Sequence, residues 1–483
     1  MTAMDSESIS EWRISAPILV HRGSIIKRFG NEIAGADGQF TGCRQNGGFC
    51  MMSHILRDAR KYEETMEKQI AREARPDFHL SARVGWMNDP NGFSYYNGKY
   101  HMFYQYHPYD CHWGPMHWGH AVSADMLHWE YLPAALAPDE LCDMDGCFSG
   151  SAVTLPDGRQ LLMYTGVVKE RQRGREAREV QTQCLAVGDG IDYEKYEKNP
   201  VLDRRDLPEG SSRYDFRDPK MWRKEDGTYC CVIGSRPAGG SGQILLYTSP
   251  DGFQWRFKSV LASNNNRFGK MWECPDFFRL DGKWVLLTSP QDMLPENFEY
   301  HNGNGTLCLI GNFDEEAGTF REEHDQAIDY GIDFYAPQTV LTPDGRRVMI
   351  GWMQNWDTCQ QRTTDVLWFG QMSLPRELSV KNGRLYQTPL RELEAFRSNK
   401  VVYRNVTFSD VTELEGIRGR RVNTVNGELK LRVILDRFSV EVFVNDGEQV
   451  LSAILYTGQS ADGISFYADG TVNMDIVKYD LIV

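Results

Sequence analysis

Residues 92–106 read GFSYYNGKYHMFYQY. Asn97-Gly98 stands between two aromatic, β-rich runs. Asn and Gly accept the positive φ angles of a tight turn, so the stretch predicts a β-hairpin. The pattern returns four times, at intervals of 55 to 69 residues. Asp157-Gly158, Asp226-Gly227, Asp281-Gly282 and Asp344-Gly345 precede 160–165 (QLLMYT), 228–234 (TYCCVIG), 283–289 (KWVLLTS) and 347–353 (RVMIGWM). Each turn also follows a strand candidate, at 92–96, 151–155, 220–223, 277–280 and 339–341. Further strands follow the first hairpin (117–124, 128–132) and the third (244–249, 254–258). Four strands per unit, five times over, predict an all-β chain built as a five-bladed β-propeller.

Nine residues before each turn glycine stand Asp89, Ser149, Asp218, Glu273 and Ala336. Equivalent positions on the inner strands of a propeller surround one axis, so three distant acids are expected to meet there. Ionised carboxyls brought together disfavour one another, and such costs concentrate at functional sites. Two carboxyls about 5 Å apart suit retaining glycoside hydrolysis. One attacks the anomeric carbon, the other gives and then takes a proton, and a third can hold sugar hydroxyls. A metal site is the weaker reading, because no HExxH or Asp-rich loop accompanies the acids. His112, His117 and His120 (in HWGPMHWGH) read better as cavity edge or core than as ligands. Trp86, Trp113, Phe148, Trp272 and Tyr335 flank the acids, and aromatic faces pack against sugar rings. Trp86 and Trp113 point to the sugar site; Trp272 fits a core position as well.

The chain has 483 residues, 41% hydrophobic and 25% charged, with a net charge of −14. So acidic a balance argues against nucleic acid as a partner. No apolar run approaches the length that spans a membrane. Asp5, Glu7 and Glu11, with a short apolar run at 16–20, do not make a secretion signal. Eleven cysteines without a CxxC pair read as reduced thiols of a cytoplasmic protein. Residues 1–52 are expected to be a poorly ordered extension, with the native start at Met51 or Met52. Ile55, Ala59, Tyr62, Met66 and Ile70 form one face of a helical lead-in over 53–75. The propeller is expected over 76–376 and a linker over 377–400, with a short helix at 390–396. Short alternating strands (428–435, 439–444, 450–456, 463–467, 472–479) predict a β-sandwich over 401–483. That unit is expected to cover and stabilise the propeller, with recognition of longer sugar chains or an oligomer contact as the alternative.

WMNDPNG (86–92), Phe148-Ser149-Gly150, Arg217-Asp218-Pro219 and Glu273-Cys274-Pro275-Asp276 resemble the signature motifs of glycoside hydrolase family 32, the invertases, sucrose-6-phosphate hydrolases and fructan hydrolases. The resemblance covers roughly residues 76–483. It implies a five-bladed propeller followed by a β-sandwich. It also implies Asp89 as nucleophile, Glu273 as acid/base and Asp218 as transition-state stabiliser. Met87, Asn88, Gln105, Trp113, Ser149 and Arg217 would bind substrate. Trp86 and Phe148 would form apolar walls, and Tyr335 would hydrogen-bond near Asp218 and Glu273. No cofactor is implied. The acid/base must hold a proton near neutral pH, which partial burial and the Asp89 charge would favour. Asp89 must stay ionised, aided by backbone N–H groups of a Pro90-Asn91-Gly92 turn, while Arg217 offsets one charge. The implied substrates are sucrose, sucrose 6-phosphate and short fructo-oligosaccharides. An exo-acting inulin or levan hydrolase and a non-catalytic sugar-binding propeller are the alternatives. Inverting propeller glycosidases do not fit the motif strings.

Overall fold

A computed structural model describes residues 12–13, 52–171, 177–296, 299–357, 359, 367–410, 428–455 and 467–483. It is all-β with few helices. Five strands lead five sheets: β1 (Gly85–Tyr96), β2 (Gly146–Thr154), β3 (Ser211–Arg223), β4 (Met271–Leu280) and β5 (Tyr335–Leu341), the first of them also edged by the short parallel strand Trp368–Phe369. Each pairs antiparallel with the strand after its turn, and two more strands extend each sheet in meander order. Side chains and backbone tie the five starting strands together around a common centre. Phe93 N–H donates to Gln338 Oε1, and Gln338 Nε2 to the Gly150 carbonyl. Met221 N–H donates to Ser151 Oγ, Lys220 Nζ lies 3.1 Å from Asp276 Oδ2, and Thr339 N–H donates to that same oxygen. All of these groups are buried, which permits polar contacts only because they are paired.

The turns are of two kinds. Asn97-Gly98 and Asp281-Gly282 have positive φ at both residues and close two-residue hairpins. At Asp157-Gly158, Asp226-Gly227 and Asp344-Gly345 only the glycine has positive φ, and the loops run to five residues. In those three, the loop's first N–H donates to the carbonyl of its last residue, so the Asp-Gly pair closes a wider turn.

Helix α1 (His54–Glu67) starts at Ser53, whose Oγ accepts the Leu56 N–H. Leu56 and Ala59 are buried against the first sheet, with Ile55, Tyr62, Met66 and Ile70 packed beside them. Glu63 is buried too: it accepts the Ala134 N–H of the sheet's outer strand and pairs with Arg83 at 3.0 Å. The helix thereby satisfies an exposed sheet edge. A single turn at Arg72–Ala74 replaces the end of the expected helix.

The expected linker over 377–400 holds structure of its own. Arg376–Lys381 and Arg384–Pro389 are the outer strands of the β5 sheet, followed by a 3-10 helix, Arg391–Phe396. Asn382-Gly383 turns the chain between them, both with positive φ. Beyond lie two three-stranded sheets: Leu431–Asp436, Ser439–Val444 and Gln449–Ile454 in one, Trp12–Arg13, Tyr467–Leu481 and Arg397–Asp410 in the other. Apart from Trp12–Arg13, the expectations for residues 1–51 lie outside the described residues, as does most of the strand expected at 463–467. Among the described residues no helix is long and apolar enough to cross a membrane.

Candidate active site

The acids sit where the starting strands break register. In β3, β4 and β5 the breaks match: Asp218-Pro219, Cys274-Pro275 and Ala336-Pro337 each oppose a single partner residue. These are β-bulges, which re-aim side chains. Proline suits a bulge because it has no N–H to give the ladder. Asp218, Cys274 and Ala336 all have positive φ, between 48° and 65°, a strained conformation for residues with a Cβ. Structurally, then, Cys274 and not Glu273 matches Asp218. Glu273 is the last paired residue before its bulge, equivalent to Arg217 and Tyr335. Counting back from the turn glycine misplaces it by one, because β4 closes with a two-residue turn and β3 and β5 with five-residue loops.

The result is two layers of side chains. In one, Arg217 joins Glu273 through Nε (2.9 Å) and its terminal nitrogen (2.8 Å), and the Tyr335 hydroxyl donates to the other Glu273 oxygen at 2.6 Å. In the next, Cys274 links the remaining acids. Its N–H donates to Asp218 Oδ2 at 3.0 Å and its thiol to Asp89 Oδ2 at 3.4 Å. Asp89 also accepts Ser149 Oγ (2.7 Å) and Asn88 Nδ2 (3.0 Å). Three acids spread over 184 positions of chain thus share one cluster.

The donors to Asp89 are side chains, not the expected backbone groups. Residues 90–92 continue β1 instead of turning, and Pro90 has no N–H. Burial, then the Glu273 charge, pushes Asp89 above the usual carboxylate range; Asn88, Ser149 and Cys274 oppose this. Burial pushes Asp218 up to about 7, with Arg217 opposing and the charges of Glu273 and Asp89 adding. Burial keeps the Cys274 thiol protonated, hence a donor. Burial would lower Arg217, but Glu273, Asp218 and Asp215 hold it firmly charged.

The other predicted residues divide. Ser149, Asn88, Arg217 and Tyr335 all touch an acid. Gln105 is buried and donates to the Cys147 carbonyl. Trp113 is 39% exposed, edge-on to half-buried Phe148 at 6.0 Å, and so forms a rim. Trp86 is no open wall: it is 3% exposed, stacked on Phe369 at 4.9 Å near Trp352 and Trp356, and its Nε1 donates to Asn88 Oδ1. Its part is to orient Asn88. Met87 is fully buried in the core, because its neighbours Trp86 and Asn88 take the other face of the strand. Trp272 is buried, donating to the Phe268 carbonyl. His117 and His120 are buried, and His120 stacks on Phe103 at 4.0 Å. His112 is exposed beside Asp110. Among the described residues no cluster is placed to hold a metal.

Sequence reasoning missed Cys274, Gln181 and Gln291. The two glutamines accept from Arg217 at 3.3 Å. Cys274 was signalled by its place before Pro275, matching Asp218 before Pro219. The glutamines carry no such signal.

The chain matches the family model for the glycosyl hydrolases family 32 N-terminal domain over residues 79–389 and that family's C-terminal model over 386–481. A raffinose invertase of Escherichia coli is 39% identical over 467 residues, covering 84% of this chain and 95% of that protein. A sucrose-6-phosphate hydrolase of Bacillus subtilis (strain 168) is 34% identical, covering 88% and 98%. The solved GH32 beta-fructofuranosidase of Bombyx mori superposes with a TM-score of 0.75 at 35% identity, covering 88% of this chain and 98% of that one. The chain belongs to glycosyl hydrolases family 32.

Proposed function

From that membership and the acid cluster we infer that the chain is a retaining β-fructofuranosidase, cleaving the terminal β-D-fructofuranosyl bond of sucrose, sucrose 6-phosphate or short fructo-oligosaccharides by double displacement. Asp89 attacks the anomeric carbon of the fructosyl unit. Glu273 protonates the leaving oxygen, then takes a proton from the water that releases fructose. Asp218 binds fructosyl hydroxyls and opposes the positive charge that develops on the ring. Asn88, Ser149 and Arg217 position these acids and the sugar, Gln105 holds the strand that carries Phe148 and Ser149 through the Cys147 carbonyl, and Trp113 with Phe148 forms the rim. Tyr335 holds Glu273 in aim.

One observation carries the reading: Cys274 donates to both Asp89 and Asp218 while its chain neighbour Glu273 is held by Arg217 and Tyr335. Four donors oriented onto three clustered carboxyls is the preorganisation that acid/base and nucleophilic roles require. A sucrose molecule is bound in a related beta-fructofuranosidase structure from Bombyx mori, which favours sucrose-type substrates. The same proposal takes the five sheets as the blades of one propeller, joined by a β-sandwich from about residue 401, and places the enzyme in the cytoplasm. The inter-strand bonds of the central side chains and the matched bulges support the five-bladed arrangement.

The test compares kcat/KM for sucrose, sucrose 6-phosphate, kestose and inulin. Measurable fructose release from at least one is expected. NMR of the first-formed fructose should show the β anomer; an initial α anomer would exclude double displacement.

A further inference from the structure

Outside the acid cluster, Cys142 and Cys184 bring their sulfurs to 3.6 Å, with the Cys184 thiol donating to Cys142. Cys142 lies on the loop that leads into β2; Cys184 lies on Arg178–Gly188, the third strand of the same sheet. Cys142 is half-buried and Cys184 buried, so a small oxidant reaches the first more readily than the second. Gly166 packs against both residues. A Cβ on Gly166 would stand 2.6 Å from the Cys142 carbonyl oxygen and 2.9 Å from the Cys184 sulfur. Any side chain there would push the pair apart.

The pair also borders the acids. Thr165, next to Gly166, accepts the Asp218 N–H at 3.0 Å, and its one hydroxyl proton is shared between Gln183 Oε1 at 3.0 Å and the Ser149 carbonyl at 3.3 Å. Gln183 is the residue before Cys184. Ser149 in turn bonds Asp89. A change of sulfur spacing on one side of Gly166 is therefore two residues from groups that place both aspartates.

We propose that Cys142 and Cys184 are a reversible oxidation site, closing to a disulfide with hydrogen peroxide and lowering turnover through Gly166 and Thr165. The Cys142 thiolate attacks the O–O bond, forming an S–O bond and releasing hydroxide, which takes up a proton to become water. The Cys184 thiol then attacks that sulfur, the S–S bond forms and the S–O bond breaks, and its proton leaves with the departing hydroxide as a second water. Two electrons pass from the sulfurs to one peroxide; a dithiol reverses the step by exchange. The roles follow from the environment. The hydrogen bond from Cys184 lowers the Cys142 thiol, with burial opposing, while burial pushes Cys184 up.

The test treats the reduced full chain with stoichiometric hydrogen peroxide. Non-reducing peptide mapping and kcat/KM for sucrose are measured before, after, and after dithiothreitol. Expected are a Cys142–Cys184 crosslink, a fall of about three- to tenfold in kcat/KM, the scale of a small displacement near a site, and recovery with dithiothreitol. Cys184→Ser should show neither change; if that buried variant does not fold, Cys142→Ser at the half-buried position carries the comparison. A sulfenic or sulfinic acid at Cys142 without a crosslink, a crosslink to another cysteine, or a crosslink with unchanged kcat/KM overturns the proposal. The activity arm rests on the fructosidase reading; the crosslink arm does not, so the two can fail separately.

Discussion

Two of the buried charge clusters among the described residues are built on contrasting terms. At the acid centre, Asp89, Asp218 and Glu273 face one guanidinium, Arg217. At the seam between the β5 sheet and the Leu431–Ile454 sheet, Arg376 and His79 face Asp329, Asp436 and Glu441, all nearly inaccessible. There nearly every lone pair is filled. Asp436 accepts the N–H groups of Asp77, Phe78, His79 and Arg437 as well as the His79 ring, and Glu441 takes the Leu374 N–H, His79 and Arg376. Burial alone would raise all three acids; the partners of Asp436 and Glu441 hold those two below the ordinary carboxylate range, while burial keeps Asp329 above it with Arg376 and Ser452 opposing. Burial would likewise lower His79, but Asp436 and Glu441 hold it up to about 9. At the acid centre the balance tips the other way, and Asp89 and Asp218 are pushed up. Saturated charges dock one unit against another; undersupplied charges keep the capacity to bind hydroxyls and exchange protons.

Substitutions can break this contrast, and the largest effect is expected at the acids. Asp89→Asn and Glu273→Gln should each lower turnover by about 1,000-fold or more with no fall in unfolding midpoint. Near-normal kcat in either purified variant would remove that residue from the mechanism. At the seam, Arg376→Met strands Asp329 and Glu441, and should cost about 3–5 kcal/mol in denaturant unfolding while kcat per folded molecule holds. A lost kcat with an unchanged midpoint would reverse the assignment of the two clusters.

His79 tests the seam by pH. Its folded value of about 9 exceeds the ordinary 6.5, so its contribution is full below pH 6.5 and lost as pH rises through about 9. Wild-type stability should fall by up to about 3 kcal/mol across that window, and His79→Gln should flatten the profile; an equal slope in both would exclude His79. Asp218 carries the same sign in a lower window, although there it is the uncharged form that folding favours. Its folded value of about 7 lies above the ordinary 3.8, so folding takes up a proton between them, and the stability so gained disappears as pH rises through about 7. Asp218→Asn should therefore be more stable than wild type at pH 8 by on the order of 1–3 kcal/mol, with the advantage shrinking toward pH 4, yet be catalytically poor. Urea titrations at both pH values decide it. The smallest effect belongs to the rim: Trp113→Ala should raise KM about three- to tenfold with little change in kcat.

Much of this was legible along the chain. The Asn-Gly and Asp-Gly pairs marked all five hairpins, since turn chemistry is local, and the acids stood out by near-equal distance from those turns. The same count misplaced Glu273, because the loop length that shifts it depends on how each hairpin closes. Trp86 looked like a sugar platform from its motif; whether it is covered depended on Phe369 and Trp352, more than 260 residues away. Strand periodicity at 376–389 was hidden by charge. Nothing in the helix period marks Glu63 as buried; the outer strand of the first sheet, whose Ala134 N–H it accepts, decides that.

By itself, then, the order of residues determined where the chain turns, which acids recur, and that the segments between are strands: properties set by neighbours a few positions apart. Tertiary structure alone decided which donors meet each acid. Arg217 with Glu273, Cys274 with Asp89, and His79 with Asp436 are separated by 56, 185 and 357 positions. Hydrogen bonds and burial act over a few ångströms of space and take no account of distance along the chain, so the charge state of each cluster exists only once the sheets have closed around it.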